Sequence, residues 1–102
     1  MRRGEVWWGE IPEEGPRPYL ILSRDEAIDR LNRLIVVPAT RTVREIPTEV
    51  LVDPDDGMPS PSAFSVDNVG SIPKSMLIER ITELGPAKME EVCQALAVAT
   101  RC

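Results

Sequence analysis

Apolar positions recur at the two-residue spacing of strands through most of this chain and change to helix spacing close to its C-terminus. From Glu5 to Gly9, Val6 and Trp8 share one side of an extended segment, which predicts a first strand with Trp7 beside Glu5 on the outer side. A loop over Ile11–Pro16 leads to Arg17-Pro18 and a second strand through the apolar run Tyr19–Leu22. Ser23, followed by Asp25 and Glu26, reads as a helix start, and Ala27, Ile28 and Leu31 give that helix a stripe two or three turns long. Leu34–Ala39 is apolar on both faces, the pattern of a strand covered on either side, and polarity returns at Thr40. Pro47 introduces another strand over Thr48–Val52, and turn formers run from Asp53 to Pro61. Ala63–Val69 predicts a strand with Phe64 and Val66 on one side and Ser65 and Asp67 on the other. Gly70–Lys74 then reads as a turn before a last strand, Met76–Leu84. Gly85-Pro86 fits the start of an amphipathic helix whose apolar stripe is Met89, Val92, Cys93, Leu96 and Ala99.

The sum is a mainly β, α+β domain: a small antiparallel barrel of five to seven short strands, a short helix after strand two and a terminal helix against one face. With 102 residues there is room for one such domain, residues 1–102, and no longer apolar run suggests a membrane span. Arg2-Arg3 is followed by acidic residues rather than by an apolar leader, so residence in the cytoplasm is expected. A doubly apolar strand in so small a chain points to a second copy covering part of it, hence to a homodimer.

Composition narrows the chemistry. Histidine is absent, which excludes triads built on imidazole and removes the commonest metal ligand. The two cysteines, Cys93 and Cys102, offer neither zinc-ligand spacing nor a disulfide framework, and Cys93 is expected to be a buried thiol on the helix stripe. No cofactor or metal is called for. The net charge of −5 opposes nucleic-acid binding at first sight. Its distribution does not: residues 1–48 hold eight arginines against eight acids, whereas residues 49–102 hold four basic residues against nine acids. Arginine, with its fixed fork of donors, is the cation suited to phosphate.

Arg2-Arg3-Gly4-Glu5-Val6-Trp7, Arg17-Pro18 before Leu20-Ile21-Leu22-Ser23, Val36-Val37-Pro38-Ala39-Thr40, Pro47-Thr48-Glu49-Val50, Asp67-Asn68-Val69, and Ile72–Lys74 ahead of Arg80-Ile81 occur in an order that resembles the MazF/PemK toxin family. The resemblance spans residues 2 to about 84. It implies an SH3-like barrel of the MazF/CcdB type, and a homodimeric toxin that cuts single-stranded RNA without metal and is silenced by an antitoxin with an acidic, disordered segment. It implies catalytic roles for Arg17 and Thr40. Chemically, a 2′-OH attacking the adjacent phosphorus needs donors to steady the extra negative charge of the phosphorane, and a guanidinium fork and a hydroxyl supply them. Asp67 and Glu14 are the candidate general bases, because free guanidinium is too basic for that task. Arg41, Thr42, Arg44 and Asn68 are candidate RNA contacts; for Arg41 and Arg44 a solvated strand edge is the equal alternative. The β1–β2 loop is shorter than in many relatives, which bears on substrate choice. A CcdB-like toxin that binds protein without catalysis, directed at gyrase, is the competing class, and a degenerate homologue that only binds antitoxin is a third.

Overall fold

A computed structural model describes all 102 residues, Met1–Cys102. Seven strands and two α-helices follow one another as β1 (Glu5–Ile11), β2 (Gly15–Ile21), α1 (Asp25–Ile28), β3 (Arg33–Thr40), β4 (Glu49–Val52), β5 (Ser62–Ser65), β6 (Gly70–Pro73), β7 (Leu77–Glu83) and α2 (Pro86–Thr100). All pairings are antiparallel, in the order β4-β5-β3-β2-β1-β7, with β6 also on β3. The curled sheet is not a closed barrel, because β4 and β7 are not paired.

The centre of this arrangement is β3. One edge pairs with β2 through Val36, Val37 and Pro38. The other edge is divided: Arg33–Val36 pair with β6, and Ala39 and Thr40 pair with β5. Pro38, which has no N–H to give, falls in the gap between the two partners. Alternate side chains then feed two cores. Val37 and Ala39 join Val6, Leu20, Phe64 and Val92, while Leu34 and Val36 join Tyr19, Ile21, Ile72 and Leu77. The double apolar pattern of Leu34–Ala39 is therefore covered by the chain's own elements, apart from Ile35, which is half exposed.

Several local expectations change. The first loop is a tight hairpin, since β1 runs on to Ile11 and Glu14 N–H donates to the Ile11 carbonyl. Left-handed backbone at Glu13 and Gly15 reverses the chain there. The helix after strand two is a single turn, and Ser23 does not cap it: the Ser23 hydroxyl is buried and accepts from Ile35 N–H at 2.8 Å, which ties the segment to β3. Leu31 is exposed. Gly70–Pro73 is strand β6 rather than a turn, recruited by the ladder with Arg33–Val36 despite its glycine and proline ends. Ser65 ends its strand, and Val66–Asn68 form a 3₁₀ turn. On α2 the buried positions are Val92 and Ala95, so Cys93 lies beyond the edge of the stripe, exposed, with Arg3 Nη2 3.5 Å from its sulfur.

Trp7 does share the outer side with Glu5. The buried Glu5 carboxylate accepts from the Trp7 indole, the Arg2 backbone N–H and Arg80 Nε, each at 3.0 Å. Burial by itself raises the Glu5 pKa, and the bonds from Trp7, Arg80 and Arg2 outweigh it, so the carboxyl ionises below its usual range. A depressed carboxyl stabilises the fold above its unfolded pKa and loses that contribution as pH falls through the folded value. The urea midpoint is expected to drop on acidification below the ordinary glutamate range. In Glu5→Gln, unfolding at neutral pH should be easier by about 1–3 kcal/mol, and the acid-induced drop should be shallower.

Candidate active site

β2 carries Arg17 where that strand has a partner on one side only. Gly15–Pro18 pair with β1, and pairing with β3 begins at Tyr19. The free edge tolerates Pro16 and Pro18 and leaves the Arg17 side chain exposed. Thr40 ends β3 across the same opening, and its Oγ1 accepts from Thr42 N–H at 3.1 Å. That bond occupies a lone pair and leaves the hydroxyl hydrogen available to donate outward.

Arg17, Thr40 and Arg41 line a single cleft of about 350 Å³, walled by Trp8, Met58 and Ser60 among others. No carboxylate lines it. Its two arginines enter no salt bridge and make no side-chain hydrogen bond, whereas Arg2, Arg44 and Arg80 are paired with carboxylates and Arg3 and Arg33 bind backbone carbonyls. In a chain of net charge −5, free cations and a hydroxyl thus converge on one opening, an arrangement that attracts an anion and can stabilise negative charge developing on it.

A second cleft, about 360 Å³, adjoins the first at Arg17. Glu14 and Asn68 stand at its walls, and Tyr19, Val36 and Ile72 form its apolar part. Burial raises the Tyr19 phenol pKa, Arg17 opposes the shift and Glu14 adds to it, so the hydroxyl keeps its proton well beyond neutral pH. Gly9 permits this floor: a Cβ there would lie 2.6 Å from the Tyr19 ring.

The other expected residues lie elsewhere. Asp67 lines neither cleft, and its carboxylate accepts from the Thr48 hydroxyl at 2.6 Å. Arg44 also lines neither; its backbone N–H and guanidinium both bind Glu49, at 2.7 and 3.3 Å, so its charge is spent on holding the loop after β3. Thr42 contributes its backbone to Thr40 rather than a side chain to a cleft. Trp8, Ser60, Tyr19 and Gly70 also line the clefts, and no motif in the sequence marks them as site residues. Only Trp8 left a trace in the sequence, through its place on the inward side of β1 with Val6. No group of three or more histidine, cysteine, aspartate or glutamate side chains is arranged to hold a metal ion, and no helix is long and apolar enough to cross a membrane.

The family model of the PemK-like, MazF-like toxins of type II toxin-antitoxin systems matches residues 2–100. The chain belongs to this family. The probable endoribonuclease MazF5 of Mycobacterium tuberculosis is 45% identical over 101 residues, covering 98% of this chain and 93% of the relative. The probable endoribonuclease MazF2 of the same species is 40% identical over the whole of both chains. Among solved structures, M. tuberculosis toxin MazF-mt6 superposes with a TM-score of 0.88 at 32% identity, covering 95% of this chain and 96% of that one. A mycobacterial endoribonuclease in complex with its cognate antitoxin superposes with a TM-score of 0.89 at 30% identity, covering 99% and 95%. This MazF-like chain therefore shares its fold with relatives over nearly the full length of both.

Because Arg41 is free and Arg44 is not, the two should respond differently to salt. In titrations of a single-stranded oligonucleotide against increasing salt, Arg41→Ala is expected to flatten the slope of log affinity on log salt by ~0.7, the amount for one phosphate contact. Arg44→Ala should leave that slope near the wild-type value.

Proposed function

We propose that this chain is the toxin of a type II toxin-antitoxin pair: a homodimeric, cytoplasmic endoribonuclease that cuts single-stranded RNA at short sequences without a metal ion. The observation that carries the reading is the shared cleft, where unpaired Arg17 and Arg41 and the Thr40 hydroxyl meet with no carboxylate among them. The endoribonuclease names of relatives at 45% and 40% identity support the same activity. A cognate antitoxin accompanies one of the solved relatives. An acidic, disordered antitoxin segment would fold into a cleft of this charge and compete there with RNA.

The proposed reaction uses the ribose as nucleophile. The 2′-oxygen attacks the adjacent phosphorus, the new O2′–P bond forms as the P–O5′ bond breaks, and a 2′,3′-cyclic phosphate and a 5′-OH result. Arg17 and Thr40 donate to the non-bridging oxygens as their charge grows. Glu14 takes the 2′-OH proton, being the candidate base that lines a cleft together with Arg17. Asp67 is outside both clefts and already bonded to Thr48. The departing 5′-oxygen takes a proton from water at the open side of the cleft, and the hydroxide so formed takes the proton held by Glu14, which restores its carboxylate.

Purified protein incubated with mixed RNA in EDTA should give new 5′-OH ends and 2′,3′-cyclic phosphates at a restricted set of sequences. Arg17→Ala and Thr40→Val, with folding intact by circular dichroism, should each lower the rate by about 10²–10³. Glu14→Gln should lower kcat by about 10²–10⁴ with a smaller change in KM. Cleavage that survives in both Arg17→Ala and Thr40→Val would remove the mechanism.

A further inference from the structure

The second cleft has the build of a base-binding pocket. Gly70 and Val36 are opposite each other in the β3–β6 ladder, so their side chains would share a face, and Val36 belongs to the floor of this cleft. Position 70 carries no side chain, and a Cβ placed there would have no neighbour nearer than the Asn68 carbonyl at 3.9 Å. The missing side chain thus leaves open space in a cleft that Val36, Ile72, Asn68, Arg17 and Glu14 also line. The Asn68 amide donates one of its hydrogens to Ser65 Oγ at 2.9 Å, which fixes its orientation. Its second hydrogen and its oxygen remain unpartnered, an adjacent donor and acceptor in one plane.

We propose that this cleft seats the nucleobase of the residue on the 5′ side of the scissile bond, with Asn68 reading the base edge and Gly70 setting the size that fits. The inference rests on the ribonuclease reading above and deepens it. The shared Arg17 makes the second cleft the seat of a flanking nucleotide, and the proposed base decides which one. Arg17 is common to both clefts, so a phosphate held by Arg17 and Thr40 lies where they meet, and its flanking nucleotide extends past Arg17. Glu14, the base for the 2′-OH, lines the second cleft, and that hydroxyl belongs to the 5′-side nucleotide. An apolar floor for the base faces and a planar amide for the edge are the usual means of reading an unstacked base in single-stranded RNA.

The test is cleavage-site mapping by 5′-end sequencing on a randomised RNA pool, with the wild type and two variants that act differently. Asn68→Asp keeps the shape and can still accept from Ser65, but presents only acceptors to the pocket. It should raise the share of sites with guanine, whose edge presents adjacent donors, by roughly fivefold or more at the position 5′ of the cut. Gly70→Val fills the floor and should deplete purines at that same position. Preferences at the 3′ side should be unchanged in both. A wild-type preference unaltered by either variant, or altered only on the 3′ side, would overturn the proposal while leaving the ribonuclease reading intact. A wild type that cuts no RNA, although its oligomeric state and fold are normal, would overturn both.

Discussion

Everything in this molecule hangs on one strand whose two faces each feed a buried core and whose outer edge is shared by two partners. β3 gives its first half to β6 and its last two residues to β5, and Pro38 marks the interval in which neither partner is present. Because alternate side chains of the strand enter different cores, Val36 and Val37 cannot exchange sides without exposing both sets. That requirement fixes the register of β3 against β2 and so fixes where Thr40 ends relative to Arg17. The cleft that Arg17 and Thr40 line is thus positioned by the packing of β3, and the second cleft meets it at Arg17.

Electrostatics separates the arginines that hold the fold together from those left free. Arg2, Arg44 and Arg80 spend their charge on Glu83, Glu49 and Glu5, holding the ends of strands and the loop after β3. Arg17 and Arg41 spend theirs on nothing within the chain, as do Arg24, Arg30 and Arg101, but of these five only Arg17 and Arg41 line the clefts described above. The overall acidity of the chain is thereby compatible with an anionic substrate, because the relevant quantity is the local field in a carboxylate-free cleft and not the sum over the surface. A MazF-like fold whose relatives include one solved with a cognate antitoxin would present the same field to an acidic peptide.

Periodicity made most of the strands legible. Alternation groups Val6 with Trp8 and Phe64 with Val66; Val6, Phe64 and Val66 are fully buried, although Ser65, on the opposite side from Phe64, is buried as well. The pairing of Gly85 with Pro86 located the start of α2. What escaped was set by partners distant in sequence. β6 has four residues with a glycine and a proline at its ends, and only the ladder with Arg33–Val36 makes it a strand. Ser23 looked like a cap because Asp25 and Glu26 follow it, yet its hydroxyl is claimed by the Ile35 N–H of β3. Cys93 falls at helix spacing with Met89 and Leu96, which puts it on the apolar stripe, but the buried face of the helix is centred on Val92 and Ala95 and leaves it exposed. At the site, the convergence of Arg17 with Thr40 followed from family resemblance and not from spacing. The split between Glu14 and Asp67 was invisible, since one lines a cleft and the other binds Thr48 through contacts that no local pattern encodes.

The most direct test of the central claim is a crystal structure with an RNA oligonucleotide that carries a single 2′-deoxyribose at the cut site and so binds without being cleaved. The scissile phosphate is expected within hydrogen-bond reach, about 3 Å, of both the Arg17 guanidinium and the Thr40 hydroxyl. A phosphate bound to only one of them, or seated outside the cleft they share, would contradict the account.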